Sequence, residues 1–166
     1  MDDIDRFEDE YAFLSNFYPS LILVDGLLFP TVEHAFQAAK TRFMEEKVDI
    51  RDALTPAKAK RLGRKCCLRA DWQSVKREVM LDCLRLKFNI TDLRDKLLAT
   101  GDATLVEGNT WHDNYWGVCM CPNCLHKPKR NVLGYFLMQV REEASKKNKE
   151  ALDAELKCTT SITLNR

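Results

Sequence analysis

The two-residue turn Asp25-Gly26, set between the apolar runs Leu21-Ile22-Leu23-Val24 and Leu27-Leu28-Phe29, limits what this chain can fold into. Both central positions of a type I′ turn need φ above zero, which Asp-Gly accommodates, so the segment predicts a tight hairpin. Its arms are short, and elsewhere only Ala103 to Glu107 alternates enough to suggest another strand. A sheet that small cannot form the core of a 166-residue chain, so helices must supply most of it. The expected class is α+β, a mainly helical single domain with a small β-sheet.

Helical periodicity follows the hairpin. From Thr31 to Phe43, residues Val32, Ala35, Phe36, Ala39 and Phe43 fall on one side of a helix started by Pro30 and Thr31. Thr55-Pro56 starts a second helix, which Gly63 ends. Asp71 can cap a longer one whose stripe is Trp72, Val75, Val79, Cys83 and Leu86, and Thr91 opens another with Leu93, Leu97 and Leu98 that stops at Gly101. Asn131 caps a last core helix carrying Leu133, Phe136, Leu137 and Val140. Composition shifts only after Glu142, which suggests a domain over residues 1–143 and a charged, solvated tail over 144–166. The stretch from Gly108 to Arg130 fits neither helix nor strand, and irregular segments of that length in a compact domain are usually functional.

Charge narrows the partners. With 26 Lys and Arg against 25 Asp and Glu, no global field draws the chain to nucleic acid or membrane, so any polyanion site is a local patch. One such patch exists: Lys58, Lys60, Arg61, Arg64, Lys65 and Arg69 place cations, and no acid, along one short stretch that suits a phosphate or pyrophosphate, or is simply a solvated helix face. No apolar run is long enough to span a bilayer and the acidic start is unlike a signal peptide, so the expected location is cytoplasmic, with no membrane partner. Seven cysteines, an odd number, fit reduced thiols better than a secreted disulfide framework.

Three constellations carry chemistry. Glu33, Gln37 and Lys40 recur at i, i+4 and i+7, which lines up a carboxylate, an amide and an amine on one helix face away from the apolar stripe. The alternative is an ordinary solvated face. Gly108 to Gly117 concentrates Trp111, His112, Asp113, Tyr115 and Trp116, aromatic walls for a base or sugar with a carboxylate among them; the alternative makes the tryptophans core anchors and His112-Asp113 a turn cap. Cys119, Cys121 and Cys124, with Cys66, Cys67, His112 or His126 as a fourth ligand, would form a structural zinc site that rigidifies the loop of Asp113 and Trp116, against unligated thiols. No dinucleotide fingerprint or P-loop is present, so no redox cofactor is implied, and no cofactor is expected to be required beyond a structural zinc.

In order along the chain, Glu10-Tyr11-Ala12-Phe13-Leu14-Ser15-Asn16-Phe17, FPTVEHAFQAAK, TPAKAKRLGR, RADW, VMLDCLRLKF, LLATGDATLVEGNTWHDNYWG and NVLGYFLMQVR resemble the NADAR, or YbiA-like, family. The similarity runs from about Phe7 to Arg141. It implies a mainly helical α+β fold and an N-glycosidase or ADP-ribosyl glycohydrolase that cleaves a ribose–nitrogen bond. Two substrate classes go with that family: ADP-ribose on guanine in nucleic acid, in some cases opposing a toxin ADP-ribosyltransferase, and ribosylaminopyrimidine intermediates of riboflavin biosynthesis. By motif, Glu33 and Lys40 lie in the family's helix signature, Asp113 and Trp116 in its D-x-x-W-G signature and Asn16 in its S-N-F signature, while Trp72 and Glu107 match flanking positions. The departure is the cysteine-bearing insert between Gly117 and Asn131, where a shorter glycine-rich loop is expected.

Cleaving an N-glycosidic bond builds positive charge on the sugar and negative charge on the departing nitrogen, so the site needs a carboxylate near the anomeric carbon and a proton donor near the base. The catalytic candidates are Glu33, Lys40 and Asp113, with Lys40 either stabilising charge or attacking the opened sugar as a Schiff-base nucleophile. Substrate contacts are expected from Asn16, Phe17, Gln37, Arg64, Trp72, Glu107 and Trp116. Two other classes compete with the enzyme: a non-catalytic reader of ADP-ribose or NAD, and a zinc-stabilised interaction module.

Overall fold

The computed structural model describes residues 3–163, with side chains as far as residue 154. Its hairpin forms as the turn requires. Strands β1 (Ile22–Val24) and β2 (Leu27–Phe29) pair antiparallel across Asp25 and Gly26, whose φ angles are 48° and 78°. The cross-strand pair Ile22–Phe29 is buried and the next pair, Leu23–Leu28, is exposed, so one face of the hairpin covers the core.

Helix α1 (Val32–Ala38) sits at the centre, with α2 (Met44–Arg51), α3 (Pro56–Gly63) and α4 (Trp72–Lys87) packed around it. The Thr31 hydroxyl caps α1, accepting from the His34 backbone N–H at 3.3 Å, and all seven residues of the helix are buried. It is shorter than the expected Thr31–Phe43 helix. Thr41 terminates it, since its hydroxyl donates to the Glu46 carboxylate and accepts from the Phe43 N–H at 3.1 Å, a competing local pattern that frees the chain to start α2. Phe43 therefore leaves the core stripe and is exposed, and α2, which buries only Ile50, has no amphipathic signal in the sequence.

Helix α3 follows its expected bounds, with the Thr55 hydroxyl capping Lys58 N at 3.1 Å. Along α4 the buried residues are Trp72, Met80, Cys83, Leu84 and Lys87, and the expected stripe member Leu86 is on the rim. Asp71 takes the N-cap position of α4 as expected, but its carboxylate makes no cap bond and is held by Arg69 at 2.6 Å and by Arg42 at 3.1 Å. Helix α5 (Thr91–Ala99) buries Leu93 and Leu97, with Ile90 rather than Thr91 in the capping position.

The Ala103 to Glu107 segment is not a strand. Leu105 makes a single bridge to Ile4, and the Asn131 side chain clamps the segment, donating to Leu105 O at 2.8 Å and accepting from Glu107 N at 3.1 Å. Spent on that clamp, Asn131 does not cap α6 through its side chain. The second pair, β3 (Gly108–Asn109) with β4 (Val118–Cys119), is parallel and two residues long. Helix α6 (Val132–Thr163) buries Val132, Leu133, Phe136, Leu137, Val140 and Ala144 and runs unbroken through the boundary expected at residue 143. The result is one α+β domain, and among the described residues no helix is long and apolar enough to cross a membrane.

Gly134 tests the α6 contact. Gly134 lies in the first turn of α6, where replacing glycine with alanine ordinarily gains up to about 1 kcal/mol of helix propensity. A Cβ here, however, would strike the Leu105 carbonyl oxygen and the Asn131 side chain, and the carbonyl is fixed by the clamp. Overpacking of about 1–3 kcal/mol should outweigh the propensity, so Gly134→Ala is expected to lower the melting temperature by a few degrees. A variant that melts at or above wild type would show that the clamp yields freely.

Candidate active site

The polar face of α1 is turned inward. Glu33 is 4% exposed and Gln37 3%, and the Gln37 amide donates to Glu33 Oε1 at 2.8 Å. Helix α3 approaches this face at Gly63, where any Cβ would strike the Gln37 side chain, so α3 packs here only with glycine. Lys40 follows one turn later, just past the helix end, half-buried with its Nζ 5.9 Å from the ring centroids of both Phe36 and Trp72.

Between this face, the Ser15-Asn16-Phe17 turn, α3 and the Gly108–Gly117 segment lies a cavity of about 490 Å³, the size range of small-molecule sites. Nine of the ten expected catalytic and substrate-contact residues line it: Asn16, Phe17, Glu33, Gln37, Lys40, Arg64, Glu107, Asp113 and Trp116. The tenth, Trp72, does not. It is 5% exposed and lies behind the wall, packed on Phe36 at 5.1 Å, while Phe36 in turn meets the edge of Trp116 at 5.4 Å. The cavity also recruits Ser15, Phe36, Lys60, Met80 and Trp111, which were not among the expected site residues. Lys60 was visible only as one cation in a run and Trp111 as one aromatic in a cluster, and Phe36 and Met80 carry no signal that separates them from core residues.

Asp113 is fixed from several sides. Its Oδ1 accepts from the backbone N–H groups of Tyr115 and Trp116, both at 2.9 Å, and Asn109 clamps its main chain, donating to Asp113 O at 2.7 Å and accepting from Asp113 N at 3.2 Å. Burial raises Glu33 above the usual carboxylate range, opposed by Lys60, Gln37 and Lys40. Burial, with the Asp113 charge adding to it, pushes Glu107 up to about 8. Burial also lowers the Lys40 ammonium, with Lys60 and Arg64 acting in the same sense and Glu33 against it. Among the described residues, three buried side-chain oxygens have no hydrogen-bond partner: Asn16 Oδ1, Gln37 Oε1 and Glu107 Oε2. All three belong to residues of this one cavity.

Comparison with known proteins places this geometry in context. Residues 4–145 match the NADAR domain. The chain belongs to the NADAR domain family. It is 45% identical over 140 residues to the N-glycosidase YbiA of Escherichia coli K12, covering 81% of this chain and 82% of that protein. It is 33% identical over 153 residues to the maize chloroplastic riboflavin biosynthesis protein PYRR, where the match spans 81% of this chain and 24% of the relative. The NMR structure of E. coli YbiA superposes with a TM-score of 0.76 at 39% identity, covering 90% of each chain. Relatives in this NADAR family are named N-glycosidases, and the chain is a hydrolase acting on N-glycosyl bonds.

Next to the cavity, this NADAR domain gathers His112, Cys119, Cys121 and Cys124 so that one ligand atom from each lies within 4.8 Å of all the others. Of the four sequence candidates for a ligand beside the three thiols, His112 is the one brought to them.

The raised Glu107 carboxyl gives a pH test. Because the fold moves it from an ordinary value near 4.5 to about 8, folding opposes its ionisation. Its contribution to stability is full below about 4.5 and declines as pH rises towards 8. Glu107→Gln cannot ionise, so its melting temperature relative to wild type should climb between pH 5 and pH 8.5 by a few degrees in thermal melts. A difference that stays flat across that range would mean Glu107 is not a buried neutral acid.

Proposed function

We propose that this NADAR domain removes ADP-ribose from guanine bases of nucleic acid. The observation that carries the reading is one cavity that brings the buried Glu33 carboxyl together with the carboxyls of Glu107 and Asp113 and the half-buried Lys40 amine. Opening a ribose–nitrogen bond needs a proton donor, a charge stabiliser and a nucleophile, and carboxyls and an amine around one cavity can supply all three. Two cations that suit a phosphate also line the cavity, Lys60 on the basic helix α3 and Arg64 just past its end. Trp111 and Phe17, 62% and 41% exposed, give the cavity mouth aromatic surface on which a further base can stack, which favours a substrate larger than a single ribosylated ring.

The reaction then runs as a transfer of the sugar through Lys40. Glu107, held neutral near pH 7 by its burial, gives its proton to the ribose ring oxygen as that oxygen leaves C1′. The opened sugar is a protonated imine between C1′ and the guanine nitrogen, its positive charge facing the Asp113 carboxylate. The Lys40 amine adds to C1′ and the guanine nitrogen departs with a proton relayed through Glu33, leaving an imine on Lys40. Water hydrolyses that imine, freeing Lys40 and the ribose aldehyde, which closes again. Glu107, first expected as a substrate contact, here becomes the acid because it is buried beside Asp113.

A second reading has its own support: relatives in Vibrio vulnificus and maize are named riboflavin biosynthesis proteins, although this chain spans only 36% and 24% of their lengths. Parallel incubation with guanine-ADP-ribosylated DNA and with a ribosylaminopyrimidine phosphate, followed by mass spectrometry of the released fragments, separates the two. Release of free ADP-ribose, with the guanine left unmodified in the DNA, is expected. Turnover of the pyrimidine alone would overturn the first reading, and binding of ADP-ribose with no turnover of either substrate would make the protein a reader.

Glu33→Gln and Asp113→Asn should each lower turnover by about a hundredfold or more while the fold survives. Borohydride added during turnover should trap a sugar adduct on the peptide holding Lys40, and Lys40→Arg should be inactive, because a guanidinium keeps the charge without the nucleophile. An active Lys40→Arg enzyme with no adduct would leave the chemistry to the carboxylates.

A further inference from the structure

We propose that His112, Cys119, Cys121 and Cys124 bind one zinc ion, and that this ion fixes the turn that presents Trp111 and Asp113 to the cavity. The geometry is that of a four-ligand site. His112 Nδ1 lies 3.3 Å from Cys124 Sγ, 3.3 Å from Cys121 Sγ and 3.9 Å from Cys119 Sγ. A tetrahedron built from Zn–S bonds of about 2.3 Å and a Zn–N bond of about 2.0–2.1 Å has N–S edges of about 3.5 Å, between the observed values.

Hydrogen bonding does not account for the arrangement. One imidazole Nδ1 either donates one proton or accepts one, so it cannot satisfy three sulfurs gathered around it. A cation at their centre satisfies all four ligands together. Three thiolates and one imidazole form a soft donor set that suits zinc and disfavours magnesium or calcium. All four positions come from protein side chains, so the site is closed and structural.

The backbone around the cluster is built to hold it. His112 sits at φ 69°, a left-handed conformation that a non-glycine residue keeps only where the surroundings impose it. Cys119 and Cys124 are fully buried, and Cys119 N donates to Asn114 Oδ1 at 2.9 Å. Cys119 is paired through β3–β4 with Asn109, the residue that clamps Asp113. Two ligands thus flank the Asp113–Trp116 stretch, and His112 stands directly between the cavity residues Trp111 and Asp113.

Full-length protein produced in zinc-containing medium should carry about one equivalent of zinc by atomic emission. Cys121→Ser and His112→Ala should lose most of it, while Cys67→Ser, an exposed thiol outside the cluster, should keep it. Should the ligand variants fail to fold, wild-type protein exchanged into cobalt(II) provides a second measurement: a tetrahedral thiolate site gives sulfur-to-cobalt charge-transfer bands and visible d–d bands. Stripping the metal from wild type should speed amide exchange by about tenfold or more within residues 108–130 while α4 and α6 stay protected. Wild-type protein with neither zinc nor a cobalt spectrum, or zinc that remains in Cys121→Ser, overturns the proposal. Zinc-loaded protein inactive on every N-glycoside upholds it and counts against the glycosidase mechanism alone.

Discussion

A carboxyl buried on the inner side of a seven-residue helix is the constraint on which the rest of this structure depends. Glu33 is removed from water with one direct side-chain partner, Gln37, and with the cations Lys60 and Lys40 near enough to favour its charge. A desolvated carboxyl left without such groups is strongly unfavourable, so the surroundings of α1 must be built around it. That fits a close approach of α3, which must be glycine at position 63 where it meets Gln37, and the turn of its Lys60 side toward the cavity. The site comes from the way the core is closed.

The opposite wall solves a different problem. Gly108 to Arg130 has almost no regular pairing, yet its buried backbone groups still need partners. Asparagine and aspartate side chains supply them: Asn109 for Asp113, Asn114 for Cys119, Asn131 for Leu105 and Glu107, and Asp113 itself for Tyr115 and Trp116. Short polar side chains can follow an irregular path that a ladder cannot, and they tolerate the left-handed backbone found at Asn131, φ 45°. An irregular loop fixed in this way holds Asp113 and Trp116 as firmly as a strand would, and the aromatic stack of Trp116, Phe36 and Trp72 ties it back to α1.

The same two features mark where the sequence was legible. The Asp-Gly hairpin, the Thr55-Pro56 start and the Gly63 stop are local rules, and they held. The spacing of Glu33, Gln37 and Lys40 correctly put the first two on one face, but periodicity presumes one wet side, and α1 is buried all round. For the same reason Trp72 reads equally well as a stacking platform or a core anchor, and only packing decides. Lys87 is the extreme case: a lysine in a charged-looking stretch that is wholly buried, its Nζ donating to Ser15 O at 2.7 Å and so pinning the turn of Asn16 and Phe17. Nothing local distinguishes it from a solvated lysine. Helix α2 and the exposure of Phe43 follow from Thr41 bonding to Glu46, a contact across the turn that residue patterns do not encode.

Burial also orders the electrostatics of the cavity. It is the largest influence on Glu33, Glu107 and Lys40 alike, ahead of any neighbouring charge, and it favours the neutral form of each. An arriving phosphate would partly cancel Lys60 and Arg64, and with them a share of what lowers the Lys40 ammonium. It would also place a further negative charge near Glu107 and help to keep that carboxyl protonated. Phosphate binding would therefore favour the protonated Glu107 carboxyl, while the Lys40 ammonium is lowered chiefly because it is out of water. The electrostatics of such a cavity depend less on any one ion pair than on how far its walls exclude water, and each wall serves that end: the glycine contact of α3 on one side and the asparagine-braced loop on the other.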